Sequence, residues 1–233
     1  MKNIYIITGG TMVHVTPHFS VCAPAYGKVG SELYDRLSAN NWAEKYSIYL
    51  IKTKMAGVNS AKTMEHLKSL NIDKAIETND ELEVFVEIVS RQSETVAIVM
   101  AAAICDFAPQ ELTAYEDKTP IQIITFGKDK KRLHKAHSLE LKLEPSKKIV
   151  DIIKKNSSEI FLVTFKATAG STKEKLVEKA LFNLKRSCSN LVFGNDIQNK
   201  INLIVTEDNE VLEAVDRASA LDVFCGEFFR RIG

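Results

Sequence analysis

The sequence predicts an α/β fold, a Rossmann-like, doubly wound and mostly parallel sheet with a flap or hairpin extension. Three observations lead to this prediction. Short β-rich apolar runs alternate with helical stretches along the chain, as in folds whose helices cover both faces of a sheet. The runs are continuously apolar rather than alternating, which is typical of buried parallel strands. The strongest of them, residues 95–103, has the composition of a central strand.

The elements follow in order from the amino terminus. Strands are predicted at 3–8, 46–51, 95–103, 159–165 and 190–193, and a hairpin at 201–212 around the polar pair Asp208 and Asn209. Helices are predicted from near Gly30 through Leu37, at 61–70, 80–92 and 146–155, through 176–184, and at the end of the chain around 221–229. The helix through 176–184 has the clearest apolar face, with apolar residues at i, i+1, i+4, i+5 and i+8.

One polar stretch interrupts this alternation. Residues 109–138 contain only a short extended piece at 121–126 and are predicted to form a loop or flap. Because the chain shows no internal repeat, low-complexity tract or linker, residues 1–233 are predicted to form a single nucleotide-binding domain.

Composition narrows the functional class. A net charge of +1 argues against a dedicated nucleic-acid binder. The apolar runs are too short to span a bilayer. The first residues run directly into a predicted strand without a basic n-region or a cleavage site, so no signal peptide is expected. The four cysteines are far apart and show no metal-ligand spacing. We therefore expect a cytoplasmic protein without disulfides, zinc, membrane or nucleic-acid partners.

The first candidate site is Gly9-Gly10-Thr11, directly after the first strand. Glycines there allow backbone N–H groups to approach an anion, and Thr11 adds a hydroxyl donor. Gly27 and Lys28 precede a helix whose amino terminus carries partial positive charge. Together they resemble a phosphate cradle, although they match neither a Walker lysine motif nor GxGxxG. The alternative is that the glycines only form a tight turn.

The second candidate lies at the end of the strongest strand, where open α/β sheets bind ligands. Ala102 and Ala103 are small enough for a flat base or sugar to reach the backbone. Asp106 is suited to a ribose hydroxyl or Mg²⁺. The alternative is an Asp that caps an ordinary turn.

The third candidate is the basic run at 127–132, inside the predicted flap. Its cations, among them Lys128 and Lys130, are suited to a triphosphate, because they offset the negative charge that builds up as pyrophosphate leaves. The alternative is a solvated charged face. His134 and His137 are three residues apart in the same flap, but a zinc site there lacks further ligands, so no metal ligand is predicted.

Taken in order, these motifs resemble those of the phosphopantothenate–cysteine ligase family, and the resemblance covers nearly the whole chain. The segments that carry it are ITGGT at 7–11, YGKVG at 26–30, AAICDF at 102–107, KDKK at 128–131, LELKL at 139–143, TFK at 164–166 and GND at 194–196.

The resemblance implies that a nucleoside triphosphate, CTP or ATP with Mg²⁺, activates the phosphopantothenate carboxylate as an acyl-nucleotide, which the cysteine amine then attacks. It implies that Asp106 and Phe165 line the nucleotide pocket and that Ala103 lies near the acyl group. It also implies that Lys128, with Lys130 in the same motif, contacts the phosphates. Two nucleotide-contacting lysines of the family fall near Asn183 and Ser187, and Lys185 and Arg186 are the candidates to replace them. The family is typically a homodimer.

The chain departs from the family in its catalytic loop. The family Asn that is thought to act on the acyl-nucleotide falls at Ala23, which cannot donate a hydrogen bond. Losing one such donor typically costs about 10²–10³ in rate. Thr16, His18 and Tyr26 are the candidates to replace it. A Pro-Asp pair of the family is also displaced, with Lys147-Lys148 in its place.

Three functions therefore stay open at this point. The first is a carboxylate–amine ligase of this family. The second is a nucleotide-binding regulatory or catalytically impaired paralogue, suggested by Ala23. The third is an NADP-dependent reductase on the same scaffold. Because Lys52-Thr53-Lys54 ends the second strand without an acidic residue, NAD is disfavoured there.

Overall fold

The computed structural model describes residues 1–39, 45–116, 119–123, 125–130, 132 and 136–232. Its strands are β1 Lys2–Gly10, β2 Met12–Thr16, β3 Phe19–Cys22, β4 Tyr46–Lys52, β5 Thr95–Ala103, β6 Phe107–Glu116, β7 Thr119–Ile123, β8 Ser138–Pro145, β9 Phe161–Thr168, β10 Leu191–Asp196, β11 Asn202–Thr206 and β12 Val211–Ala214. Its helices are α1 Lys28–Ser38, α2 Ala61–Ser69, α3 Asn79–Ser90, α4 Val150–Asn156, α5 Lys173–Ser187 and α6 Arg217–Ile232.

The central sheet has seven strands in the order β12-β11-β10-β9-β5-β1-β4. The five strands from β10 to β4 are parallel, and β11 and β12 extend the sheet antiparallel. In chain order, β1 is followed by β4 on one side of it, and then by β5, β9 and β10 on its other side. The order therefore reverses between β1 and β5. This arrangement confirms the predicted Rossmann-like, doubly wound fold.

Helices cover both faces of this sheet. Leu33 of α1 and Phe224 of α6 pack with Ile4 and Val99 on one face. On the other face α2, α3 and α4 pack against Tyr5, Ile7, Ile98 and Met100 of the same strands, and α5 packs against β10 and β11. Alternate residues of β1 and β5 thus enter different apolar layers, which explains why their sequences are continuously apolar.

Local signals fix several helix starts. The Thr78 hydroxyl accepts a hydrogen bond from the Glu81 N–H, and the Glu81 carboxylate accepts one from the Thr78 N–H, which makes a capping box at α3. The Ser60 and Thr172 side chains cap α2 and α5, each by accepting one hydrogen bond from a backbone N–H in the first turn. The predicted start of α4 at 146 is wrong, because residues 146–149 precede the helix and α4 begins at Val150.

Two antiparallel sheets lie outside the central sheet. Residues 109–138 are predicted to form a loop or flap with a short extended piece, and the loop alternative is wrong, because strands occupy much of this region. In that region β7, β6 and β8 form a three-stranded sheet, and β2 and β3 form a separate hairpin. Leu112 and Ala114 of β6 are buried, while residues of β7 and β8 are mostly exposed. The polar composition of residues 109–138 therefore reflects a small sheet with much of its surface in water.

Within the described residues, no helix is long and apolar enough to cross a membrane. The division of residues 1–233 into a single domain stays a prediction.

Candidate functional site

The carboxyl ends of β1 and β5 lie side by side at the point where the strand order reverses, with Gly9 opposite Ala102 and Gly10 opposite Ala103. In open α/β sheets a crevice forms at this point, because the connections leaving the two strands go to opposite faces. The first and second candidate motifs of the sequence therefore meet at the expected ligand-binding edge.

The space beside Gly9 and Gly10 is occupied by the protein itself. A methyl group on Gly10 would lie 2.1 Å from the carbonyl oxygen of Ala23, and one on Gly9 would lie 2.1 Å from the Thr53 Oγ1. Gly9 also has φ of 103°, a conformation that favours glycine. These glycines allow the segment from Ala23 and the loop from Thr53 to pack closely on the strand end. Their predicted contact with a nucleotide stays a prediction.

Thr11 joins three parts of the site. Its buried hydroxyl donates to the Asn79 Oδ1 at 2.6 Å and accepts from the Cys105 N–H at 3.0 Å. The Asn79 Nδ2 in turn donates to the Cys105 carbonyl at 2.8 Å. The hydroxyl is therefore used within the protein, where it ties the ends of β1 and β5 to the start of α3. The predicted role of Thr11 as a ligand donor is untested.

Gly27 and Gly30 also serve close packing. Methyl groups on them would approach the Thr8 side chain to 3.3 Å and 2.4 Å, and Gly27 has φ of 76°. Lys28 is exposed and its Nζ lies 3.8 Å from the Glu32 carboxylate one helical turn on. The start of α1 is thus held against β1, with the predicted binding residue Lys28 on its outer side.

Beyond the end of β5 two clefts share one wall. The first, which we call the α6 cleft, has a volume of about 710 Å³ and lies at the ends of β5, β9 and β10 and the start of α6. Its apolar side includes Ala101, Val29 and Phe165, and its polar side includes Asn195, Lys200 and Arg217. Phe165 stacks on Phe193 with ring centroids 5.3 Å apart, so its ring is fixed in place.

The second, which we call the α4 cleft, has a volume of about 360 Å³ and lies at the start of α4. Ala102, Ala103, Phe165 and Ala167 form the wall that it shares with the α6 cleft. Its charged residues are Asp106, Lys147, Lys148 and Lys166. The Lys148 Nζ donates to the Asp106 Oδ1 at 2.5 Å, an ion pair between partly exposed side chains.

The structure thus brings Ala102, Ala103, Asp106 and Phe165 together in one cleft. It adds Ala23, which lines the α4 cleft with them. The predicted contacts of Asp106 and Phe165 with the nucleotide, and of Ala103 with the acyl group, stay predictions. Thr16 is buried, His18 is exposed and Tyr26 is exposed over 77% of its surface, and none of the three is among the residues that line either cleft. None of these three predicted candidates therefore lines the α4 cleft together with Ala23.

The basic run lies elsewhere. The Lys128 Nζ donates to the Glu77 Oε2 at 2.9 Å, in a third cleft of about 900 Å³ between β2 and the start of α3. The Lys54 Nζ bonds the other oxygen of Glu77 at 3.1 Å. Burial raises the pKa of Glu77, but these two lysines outweigh it and lower the pKa overall. Lys130 pairs with its neighbour Asp129 at 2.9 Å. Neither Lys128 nor Lys130 lines the clefts at the end of β5.

Lys185 is exposed in the last turn of α5 and lines neither of the two clefts at β5. Asn183, two residues earlier, does line the α4 cleft, and its Nδ2 donates to the Thr164 Oγ1 at 2.9 Å. The helical period explains the difference, because positions two apart point in different directions.

Asp196, at the end of β10, has a structural role. Its carboxylate accepts hydrogen bonds from the Thr168 hydroxyl and from the backbone N–H groups of residues 170, 171, 198 and 199, at 2.8–3.1 Å. Burial alone raises the pKa of Asp196, but these donors outweigh it and lower the pKa to about 2. The anion fixes the loops after β9 and β10 around the α6 cleft.

Among the described residues, no group of three or more His, Cys, Asp or Glu side chains could hold a metal ion. His134 and Lys131 lie outside the described residues. Asp106 is the acidic residue that lines the α4 cleft, and Mg²⁺ is commonly bound by one or two carboxylates together with substrate phosphates. The donor set therefore fits an ion that arrives with a triphosphate.

Comparison with known proteins identifies the family. Residues 2–222 match the model of the DNA/pantothenate metabolism flavoprotein C-terminal domain. The chain belongs to this family. The resemblance to phosphopantothenate–cysteine ligases is thereby confirmed at the level of the family.

A curated relative is the coenzyme A biosynthesis bifunctional protein CoaBC of Thermococcus kodakarensis, which is 25% identical over 211 residues. The match covers 91% of this chain but 44% of that protein, so the chain spans less than half the length of this relative.

Solved structures share the fold of this family member. The DNA/pantothenate metabolism flavoprotein from Streptococcus pneumoniae superposes with a TM-score of 0.74 at 17% identity, over 99% of both chains. The C-terminal domain of CoaBC superposes with a TM-score of 0.64 at 17% identity, over 99% of this chain and 93% of that one. A Cab2 mutant in complex with phosphopantothenate-cysteine superposes with a TM-score of 0.64 at 17% identity, over 99% of this chain and 86% of that one.

Proposed function

We propose that this protein is a carboxylate–amine ligase that joins 4′-phosphopantothenate, or a related phosphorylated acid, to cysteine through an acyl-nucleotide. Family membership and the CoaBC relative support the reaction. The observation that carries the proposal is the pair of clefts that meet at Ala102, Ala103, Phe165 and Ala167. Two substrates that react with each other must bring their reacting atoms into contact, and the residues that line both clefts mark where the two clefts meet.

The α4 cleft is suited to the nucleoside triphosphate. Lys147, Lys148 and Lys166 line it together with the carboxylate of Asp106, and Lys147 also pairs with Glu83 at 3.6 Å. Cations fixed near a triphosphate stabilise the charge that develops as pyrophosphate leaves. A Mg²⁺ ion bound with the triphosphate would add to this neutralisation, with Asp106 as its protein ligand. The choice between CTP and ATP is open, because the described lining fits a flat base of either kind.

The reaction then needs the acid carboxylate at the shared wall. The small side chains of Ala102 and Ala103 leave the end of β5 accessible there. Holding both reactants at one edge replaces an encounter in solution by an oriented reaction. Lys128 and Lys130 are proposed to act on the phosphates as the family motif implies, which requires that Lys128 leave Glu77. Gly9, Gly10, Thr11, Gly27, Lys28 and Lys185 stay proposed nucleotide-binding residues.

The second candidate function is a paralogue that binds the nucleotide but is impaired in the cysteine step. Ala23 favours it, because Ala23 lines the α4 cleft at the position where the family has an Asn. The NADP-dependent reductase is not favoured. After β1 the chain enters the β2–β3 hairpin rather than the helix whose amino terminus holds the pyrophosphate of a dinucleotide.

The proposed function is tested by measuring pyrophosphate release with Mg²⁺, CTP or ATP and 4′-phosphopantothenate, with and without cysteine, and by identifying products by mass spectrometry. Pyrophosphate with phosphopantothenoylcysteine establishes the ligase and its nucleotide. Acyl-nucleotide without amide supports the impaired paralogue, and Ala23→Asn is then expected to restore the amide. A protein that binds no nucleoside triphosphate contradicts both.

We also propose a homodimer in the cytoplasm. The family resemblance supports the dimer, and sedimentation velocity would test it. All four cysteines are free thiols, in keeping with a reducing compartment.

A further inference from the structure

One polar atom of the α4 cleft has no partner in the described part of the chain. Asn183 of α5 is half-buried and lines this cleft together with Thr164. Its Nδ2 donates to the Thr164 Oγ1 at 2.9 Å, but its Oδ1 accepts no hydrogen bond from any described residue. We infer that this oxygen recognises the base of the nucleotide by accepting a hydrogen bond from the exocyclic amine of cytosine or adenine, an inference that rests on the proposed function.

A closed ring of hydrogen bonds fixes the orientation of the Asn183 amide. The Ser187 hydroxyl donates to the backbone carbonyl of Asn183 at 2.7 Å, because a carbonyl can only accept. The single proton of Ser187 is thereby used, so the Ser189 hydroxyl donates to Ser187 at 2.7 Å. By the same count the Thr164 hydroxyl donates to Ser189 at 3.1 Å, which leaves Thr164 as an acceptor for Asn183. The amide nitrogen must therefore face Thr164, and the oxygen is the atom left for a ligand.

Burial makes this orientation difficult to reverse. Thr164, Ser187 and Ser189 are each at most 5% exposed, so water does not replace a lost hydrogen bond among them. Turning the amide would set the Asn183 oxygen against the Thr164 oxygen with no proton between them. Reversing all the hydroxyls instead would remove the hydrogen bond to the Asn183 carbonyl. Both changes are unfavourable in a buried site, so the ring holds the acceptor in place.

The lining of the α4 cleft divides by chemistry. Its three lysines are suited to the phosphates, as proposed above. The neutral part of the lining includes Asn183, Thr164 and three buried apolar residues, Met100, Ile149 and Val150. Ligand sites are commonly apolar with a few polar atoms that fix the orientation of the ligand. A flat base suits the apolar residues, and the polar edge of the base then needs a partner such as the Asn183 Oδ1.

An acceptor distinguishes bases by the group that it meets. Cytosine and adenine present an exocyclic amine, which donates, whereas uracil and hypoxanthine present a carbonyl at the same position, which accepts. Opposite the Asn183 Oδ1, a carbonyl would place two acceptors against each other. Sites built to form a hydrogen bond with a substrate strongly reject analogues that cannot form it. The protein should therefore prefer CTP to UTP and ATP to inosine triphosphate.

The test is calorimetric titration of the full chain with CTP, UTP, ATP and inosine triphosphate, each with Mg²⁺. In the wild type we expect the member of a pair that has the amine to bind about tenfold more tightly than its carbonyl counterpart. Asn183→Ala should reduce this preference to less than about threefold. Glu178→Ala, at an exposed position of α5 that lines neither cleft at β5, should keep the wild-type preference.

Thr164→Val separates recognition of the base from a general effect on the cleft. It preserves the shape of the side chain but opens the ring, so that the Asn183 amide can turn and its nitrogen can donate to a carbonyl. We expect UTP to bind more tightly than it binds to the wild type, and the ratio of the two Kd values to approach one. If Asn183 and Thr164 only support the fold, both variants should weaken CTP and UTP by the same factor.

The inference is overturned if the wild type binds both members of each pair equally, or if Asn183→Ala keeps the wild-type preference. In both cases the nucleotide still binds, so the proposed function stands. A wild type that binds no nucleoside triphosphate contradicts the proposed function itself, and the role of Asn183 falls with it.

Discussion

The ends of β1 and β5 are neighbours in one sheet but differ in what lies above them. Above Gly9 and Gly10 lie the protein's own atoms, within 2.1 Å of where a side chain would begin. Above Ala102 and Ala103 lie the two clefts. The residue types alone suggest the opposite, because glycine is the usual sign of close ligand approach. In this protein the glycines allow the chain to pack on itself, and the alanines leave room for ligands.

Larger side chains at the two strand ends should have different consequences. At β1, extra atoms should disturb folding, since the space is filled. At β5 they should disturb binding, since the space is open.

Gly10→Ala is expected to have the largest effect. The new methyl group meets the Ala23 carbonyl oxygen and the Met55 Sδ, and the backbone cannot give way without displacing two segments. We expect the free energy of unfolding to fall by about 3 kcal/mol, the upper part of the range for overpacking. Urea denaturation followed by circular dichroism measures it.

Gly226→Ala is the matched control for that substitution. Gly226 lies inside α6, and nothing lies within 4 Å of the added methyl group. Alanine in a helix interior should raise the free energy of unfolding by about 0.5–1 kcal/mol. If the two variants lose stability equally, close packing is not what requires glycine at position 10.

Thr11→Val is expected to have the next largest effect. It preserves shape but removes the hydroxyl, which leaves the Asn79 Oδ1 and the Cys105 N–H unpaired in a buried site. We expect a loss of about 1–3 kcal/mol in the free energy of unfolding, together with faster hydrogen exchange of the Cys105 amide. Nucleotide affinity that collapses while stability stays at the wild-type value would show instead that Thr11 is a ligand donor.

Acid should weaken the loops around the α6 cleft through Asp196. Its pKa is about 2 in the folded protein, below its ordinary value of 3.8. A lowered folded-state pKa means that the stabilisation is complete above about pH 4 and is lost as the pH falls toward 2. Asp196→Asn should be less stable at neutral pH and should lose less stability between pH 4 and pH 2. Urea midpoints at pH 7, 4, 3 and 2 measure the difference, and parallel curves for the two proteins would contradict this assignment.

Much of the central sheet could be predicted from the sequence because its strands are buried on both faces and are therefore continuously apolar. The β2–β3 hairpin and the sheet of β6, β7 and β8 could not, because their residues are partly exposed and carry no apolar run. Pro109, at an irregularity in the pairing of β6 with β8, further obscured that strand.

The site residues that belong to one segment of the chain could be predicted from the sequence. The residues that come together from distant segments could not. Ala102, Ala103 and Asp106 follow from the end of one strand. Lys148 reaches Asp106 from 42 residues away. Lys200 and Arg217 come to the α6 cleft only because β10 and α6 lie beside β9 and β5. Their neighbours in the sequence give no sign of this.

The most direct test of the central claim compares turnover in the wild type and in Ala102→Leu, with nucleoside triphosphate, Mg²⁺, 4′-phosphopantothenate and cysteine. The account predicts pyrophosphate and phosphopantothenoylcysteine from the wild type. It predicts neither product from a folded Ala102→Leu whose Tm lies within a few degrees of the wild-type value. Undiminished turnover in Ala102→Leu would contradict the claim that the end of β5 holds the reaction.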